Sequence, residues 1–372
     1  LIVWIIAGLL GMATGLRIGW ALVNQQSVVS NAMIIALGSL AVVAALNWPP
    51  LALLVNTGLR WPNIAVGLSQ VALVASAAGS FVMITSVAST ARPEVTRRLA
   101  VIQYCVAAAI AVITLVLFTG DGREPEMAPK EYLARNLGLP GEVLDWLIPL
   151  LYVLLALTVV AWVGMRLSSA SRRGRALLLF TAGMVLIVAA SGFLLSRAVG
   201  APRQAGVSTA VTLLLCAMAI VAAGALLPSI EDWIGARREL RLIEPLRQEM
   251  HRRHPDIGIG VRPRGPLVFR VAERLSLISD ALYLESLRAQ QPGATEDPEP
   301  PAGLTSAEQA RSVAMWVKAQ GAFPGRRWLH QPPDCSDRDW ILQIARQYRE
   351  LNDLAGTDRR RSARPRSDRA TG

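Results

Sequence analysis

The sequence predicts an all-α fold: a polytopic transmembrane bundle of about seven helices, followed by a small cytoplasmic helical domain. Three observations lead there. Residues 207–228, VSTAVTLLLCAMAIVAAGALLP, contain no charge and are long enough to cross a bilayer as a helix. That run turns abruptly into SIEDWIGARRELRLIEPLRQEMHRR, which is too charged to follow it into lipid. Six more apolar runs come before it, and 52% of the 372 residues are apolar. Residues 1–230 hold 14 Lys/Arg and 7 Asp/Glu, and residues 231–372 hold 24 and 20. The expected organisation is therefore a transmembrane domain over 1–230, a helical domain over 231–355 with a linker at about 291–303, and a disordered Arg-rich tail over 356–372.

The first span covers residues 1–23, too long for the core of a cleaved signal peptide, and reads as a retained helix. Ala7, Gly11, Gly15 and Gly19 fall at steps of four and share one face. Small residues at that spacing let another helix approach closely, and packing inside the bundle is the first expectation. Residues 28–46 form the second span. Residues 47–63, NWPPLALLVNTGLRWPN, read as a proline-broken loop in the interface, with Trp48 and Trp61 at head-group level. Residues 64–86 form the third span, rich in Ala, Ser and Gly; Gln70 is its one strongly polar side chain. Gln70 is expected to make an interhelical hydrogen bond, or else to line a pocket.

A short basic loop over 91–98 leads to the fourth span, 99–118. The longest loop, 119–145, mixes acidic and basic residues, and EYLARNLGL inside it can form a surface helix. Spans over 146–165 and 176–195 flank the basic loop 166–175, and 207–228 is the seventh. Arg92, Arg97, Arg98, Arg166, Arg172, Arg173, Arg175, Arg237, Arg238 and Arg241 all fall on one face of a seven-span protein. Positive residues stay inside, so the N-terminus is expected outside, and the C-terminal domain in the cytoplasm of a cell with this protein in its plasma membrane.

After residue 231 a charged helix is expected, interrupted at Pro245, then a Gly/Pro-rich connector over 255–266. Residues 267–289 form the clearest amphipathic helix, with Val268, Val271, Leu275, Ile278, Leu282 and Leu287 on its apolar face. Thr305 and Glu308 stand at capping-box spacing before a helix to about Gln320, and the last helix opens at Ser336 or Asp337 and ends near Leu354.

NWPP with RWPNIAV, RRELR, PLVFRVAERLSLISDALYL, and Trp316 and Trp340 in the late helices carry a resemblance. The chain resembles uncharacterised polytopic membrane proteins of high-GC Gram-positive bacteria, provisionally labelled transporters, with seven helices and a C-terminal helical domain of unknown function. In that family Arg, Ile and Asp tend to stand where this chain has Arg274, Ile278 and Asp280, and a Glu tends to stand where it has Leu277. The resemblance implies location and architecture; it does not establish transport.

Enzyme motifs are absent from the sequence: no HExxH, no Walker glycine loop, no G-x-S-x-G. No catalytic activity, cofactor or metal is expected. His251 and His254 have metal-compatible spacing, but only His330 and Cys335 could complete a site, and two solvated histidines is the simpler reading. The three cysteines, Cys105, Cys216 and Cys335, are an odd count without C-x-x-C and read as free thiols. The net charge of +11 comes from both halves, so anionic lipid is a nearer partner than nucleic acid. No Asp, Glu or His falls inside the seven spans, which argues against ion- or proton-coupled carriage. A regulatory, sensor or scaffold role with a cytoplasmic protein partner is the leading functional reading, and transport of a neutral or small substrate the alternative. Arg274 and Asp280 are the candidate residues of the soluble part. Asp280 is expected to pair with a neighbouring arginine, or to belong to a docking site.

Overall fold

The computed structural model describes residues 2–23, 27–89, 93–120, 124–137, 143–169, 171–200, 207–257, 267–289, 298–301, 303–319 and 321–362. Among these residues the secondary structure is entirely helical, and all three cysteines are free. Two compact units divide at residues 228 and 229.

The first unit is built on seven helices long and apolar enough to span a membrane: α1 (Ile2–Val23), α2 (Val28–Leu46), α4 (Ile64–Ala88), α5 (Pro93–Gly120), α7 (Val143–Leu167), α8 (Arg172–Ala198) and the first part of α9 (Val207–Arg253). Two short helices, α3 (Pro49–Leu59) and α6 (Pro129–Asn136), lie between spans. Successive spans run antiparallel: Trp4 of α1 meets Trp48 at the end of α2, and Asn47 donates to Ser69 of α4 at 3.2 Å. The apolar runs fix these helices because a backbone in lipid must satisfy its own hydrogen bonds. Leu99, Ile102, Val112 and Val116 of α5, and Leu155 and Trp162 of α7, are exposed apolar side chains. Surfaces of that kind are stable against hydrocarbon, not against water. The fold is that of a multi-pass integral membrane protein.

Glycines set how closely the spans pack. A Cβ at Gly79 of α4 would fall 2.7 Å from the Ala36 backbone nitrogen of α2. The same pair gains a hydrogen bond from Ser76 Oγ to the Ala36 carbonyl, 2.9 Å. Gly183 of α8 abuts the Ala217 carbonyl of α9, and Gly224 of α9 abuts the Phe180 nitrogen of α8. Gln103 of α5 donates to the Tyr152 hydroxyl of α7 at 2.9 Å. The face of α1 bearing Gly11, Gly15 and Gly19 behaves differently: nothing lies within 4 Å of a Cβ there. α1 packs through Ile6, Leu10 and Ala13 instead, so the small-residue face is not the one buried in the bundle.

The second unit joins the end of α9 to α10 (Leu267–Ala289), α11 (Ser306–Val317), a 3₁₀ turn (Arg326–Leu329) and α12 (Asp337–Ser362). Its core gathers Ile243 and Leu246 of α9, Val271, Leu275 and Ile278 of α10, Val313 of α11, and Trp340 and Ile344 of α12. Val268 and Leu287, expected on the buried face of α10, are exposed. The capping box at Thr305 and Glu308 is present. Gln309 donates to the Trp328 and His330 carbonyls, and Trp340 Nε1 to the Leu329 carbonyl, which pins the 3₁₀ turn onto α11 and α12.

Four expected boundaries are corrected. Residues 49–59 are helical: Pro49 and Pro50 occupy the first helical turn, where the missing N–H costs nothing. The basic loop is shorter than expected because Pro93 likewise opens α5, putting Arg97 and Arg98 on the helix. α9 passes through Pro228 and Pro245 without a break, since each proline removes a single donor while the flanking turns stay paired. α12 continues to Ser362, into the expected tail; residues 363–372 of that tail lie outside the described residues, as do most of the 255–266 connector and the 291–303 linker.

Candidate functional site

Gln70 sits in the second turn of α4, beside the first turns of α7 and α9 and the last turns of α2 and α8. Five spans and the short helix α6 converge there on a cavity of about 70 Å³. Its wall is mostly apolar: Leu46 and Leu73, Trp146 and Leu150, Leu194, and Val211 and Leu214, with Leu133 of α6. Among the described residues its polar lining side chains are Asn47, Ser69 and Gln70. Asn47 spends its amide N–H groups on the Val43 carbonyl, 2.8 Å, and on Ser69 Oγ, 3.2 Å. Gln70 makes no side-chain hydrogen bond among the described residues, so it is a pocket-lining amide and not the interhelical tie that was the first expectation. The site offers an uncommitted amide at one edge of a dry wall and no ionisable group. That chemistry accommodates a small uncharged molecule with one hydrogen-bonding group.

A polar clamp ties the segment before α6 to α3 and the start of α4. Asn63 donates to the Pro125 carbonyl at 3.0 Å and accepts from the Met127 nitrogen at 2.9 Å. Asn56 donates to Glu126 at 3.1 Å and accepts from the Ala65 nitrogen at 3.0 Å. Both asparagines are buried. Together they fix residues 125–127, immediately before α6, to the start of α4. Phe118, Tyr132 and Trp146 make two tilted ring contacts, at 5.9 and 6.4 Å between centroids.

In the second unit Arg274 of α10 donates to Glu244 of α9 at 2.9 Å. Arg247 donates to both oxygens of the same carboxylate, at 2.6 and 3.0 Å, and these bonds hold the Glu244 carboxyl below its ordinary value. Arg274 is therefore a helix-joining residue. Asp280 is exposed and makes no ion pair among the described residues, contrary to the pairing expected for it. The two residues are not brought together.

His254 is buried rather than solvated, with Nε2 2.7 Å from Glu285 Oε2, while His251 is exposed. Among the described residues no group of three or more His, Cys, Asp or Glu side chains is placed to hold a metal ion. The Glu285 contact was missed from sequence because Glu285 lies 31 positions away, and no local spacing points to it. The Asn56–Asn63 clamp was missed because the two residues sit in a stretch read as a loop.

These features define a class, an all-α multi-pass integral membrane protein with a helical extramembrane unit. Compared with known proteins, the chain matches no family model, no curated protein and no solved structure.

Proposed function

We propose that the protein is a non-catalytic regulatory protein of the plasma membrane, with its N-terminus outside and residues 229–362 in the cytoplasm. A small neutral ligand enters the Gln70 cavity, and its presence is passed to the cytoplasmic helices through α9. The observation that supports this reading is the composition of α9. One uninterrupted helix supplies Val211 and Leu214 to the cavity wall and Glu244, Glu249 and Arg253 to the ion pairs of the second unit. A ligand that changes the packing of the first turns of α9 acts on the same helix whose later turns pack with α10 and α11. The arginine-rich short loops support the orientation. The provisional family likeness agrees with the location and adds nothing about chemistry.

The test uses the full chain in nanodiscs. Small neutral amphiphiles are screened by thermal shift, and hydrogen exchange is then followed over residues 229–354. A ligand should raise the unfolding temperature and alter exchange near Glu244 and Glu285. Val211→Trp, which fills the cavity, should remove both responses. Ligand binding without any change in 229–354, combined with flux of that ligand into proteoliposomes, would establish the transporter reading instead.

A further inference from the structure

An open groove of about 660 Å³ runs along the second unit, lined by α9 and α12 with Arg274 of α10 contributing. Arg237, Arg241 and Gln248 form one stripe of α9, and Arg349 faces them from α12. The groove is electropositive despite its two carboxylates. Glu244 is saturated, taking hydrogen bonds from Arg247, Gln248 and Arg274. Asp353 stands 4.0 Å from Arg349, a loose and exposed pairing. Arg237 and Arg241 are exposed and make no ion pair among the described residues; the Arg237 guanidinium rests 5.0 Å over the Trp233 ring, which orients it.

We propose that this groove docks an acidic segment of a partner protein, an extended peptide with carboxylates at alternate positions. Arg237 and Arg241 are four residues apart on a helix, about 6 Å along its axis. Alternate side chains of an extended chain are about 6.8 Å apart and point the same way, so an acid-x-acid run places one carboxylate on each guanidinium. The stripe then continues to Gln248, about 16 Å from Arg237 along the axis, where Asn352 of α12 also lines the groove. A site that long, ending in two amides, fits a peptide backbone better than a single lipid head group. The inference deepens the regulatory reading by giving the partner's chemistry, and it rests on that reading only for the side of the membrane on which the partner waits.

The experiment uses the full chain in phosphatidylcholine nanodiscs, where both faces are open, so its outcome is independent of topology and of the cavity ligand. A fluorescent Glu-Ser repeat peptide and a Lys-Ser repeat peptide are titrated by anisotropy at low and high salt. The Glu-Ser peptide should bind at low salt and release as salt rises. R237E/R241E/R349E should weaken it about tenfold or more and gain affinity for the Lys-Ser peptide, a gain that a misfolded variant does not show. R288E/R311E/R346E changes the net charge equally at exposed positions outside the groove and should leave binding unchanged. Absence of Glu-Ser binding, or equal loss in both triple variants, overturns the proposal. So does unaltered peptide binding by R237E/R241E/R349E; if that variant also loses the enrichment of phosphatidylglycerol around the protein in a second set of nanodiscs containing that lipid, the groove is a lipid site.

Discussion

His254 and Glu285 meet through a 2.7 Å contact that ties the residue just beyond α9 to α10. The other Glu285 oxygen accepts from Arg253 at 3.0 Å, and Arg253 also donates to Glu249 at 2.8 Å and to the Val317 carbonyl at the end of α11. Three helices thus share one small ionic cluster. Partial burial works to raise the Glu285 and Glu249 carboxyls; hydrogen bonds from His254 and Arg253 to the first, and from Arg252 and Arg253 to the second, outweigh it. Both carboxyls sit below their ordinary value of 4.5.

A carboxyl depressed on folding contributes stability that is complete above its unfolded pKa and is lost as the pH falls through its folded one. The second unit should therefore hold its stability from neutral pH down to about pH 4.5 and lose it progressively below. Glu285→Gln keeps the shape but removes the charge facing Arg253, and should destabilise the unit by about 1–3 kcal/mol at neutral pH. It should also flatten the acid limb. Hydrogen exchange over 267–289 and 306–317 as a function of pH measures both effects; an unchanged acid limb would show that Glu285 does not carry it.

The glycines of the first unit divide into two groups with opposite expected responses. A side chain at Gly224 meets the Phe180 nitrogen at 2.8 Å and the Ala176 carbonyl at 3.1 Å, both backbone atoms that cannot swing away. Gly224→Val should cost about 1–3 kcal/mol by forcing α8 and α9 apart. Gly15→Ala meets nothing within 4 Å and replaces the weaker helix former. It should be neutral or stabilising by up to about 1 kcal/mol. Thermal aggregation midpoints of the two variants in one detergent decide it: equal losses would contradict the α8–α9 contact.

The spans were legible because lipid imposes one demand, a run of apolar residues of sufficient length, and each run is local in sequence. Residues 28–46 were read with both ends in place, the first run with its described end at Val23, and the other five fall inside their helices. What was not legible is how polar flanks behave. Pro49 and Pro245 were read as breaks and residues 91–98, with Pro93, as a loop, yet Pro49 and Pro93 open helices and Pro245 is carried through one, because a missing N–H matters only where a partner carbonyl depends on it. The candidate site was half legible. Gln70 was recognisable as the lone polar residue of its span, and its hydrogen-bond state was not, since that depends on which of five helices comes near. Arg274 was noticed through the resemblance, but its partner Glu244 is 30 residues away on another helix.

Asn63 holds a left-handed backbone, φ 60°, while both ends of its side-chain amide engage residues 125–127. Asn63→Ala loses both hydrogen bonds and places a less suitable residue at positive φ, a combined cost of about 2 kcal/mol. The loosened segment contains Glu124 and Glu126, so a glutamate-specific protease should cut the variant there several-fold faster than the parent. Protection equal to the parent would mean that the segment is held by the Asn56–Glu126 bond and the aromatic contacts of α6 without help from Asn63.

Trp162 and Arg166 at the end of α7, and Trp233 and Arg237 beyond the apolar part of α9, repeat one arrangement: a guanidinium 4.1 or 5.0 Å over the ring of the tryptophan one turn earlier. An aromatic ring at head-group level with a cation beyond it is what an interface on the positive side of a membrane favours. At the other end of the bundle Trp4 and Trp48 pack edge to face without a cation. The arrangement agrees with the proposed topology, which rests on the arginine-rich short loops. With all three native cysteines first replaced by serine, single cysteines at Glu131 and Arg349, both exposed positions, are labelled in intact cells by a membrane-impermeant maleimide. Glu131→Cys should react before the cells are broken open and Arg349→Cys only afterwards. Reaction in the reverse order would place the second unit outside, and the acidic partner proposed for the Arg237–Arg241 stripe would then have to be extracellular.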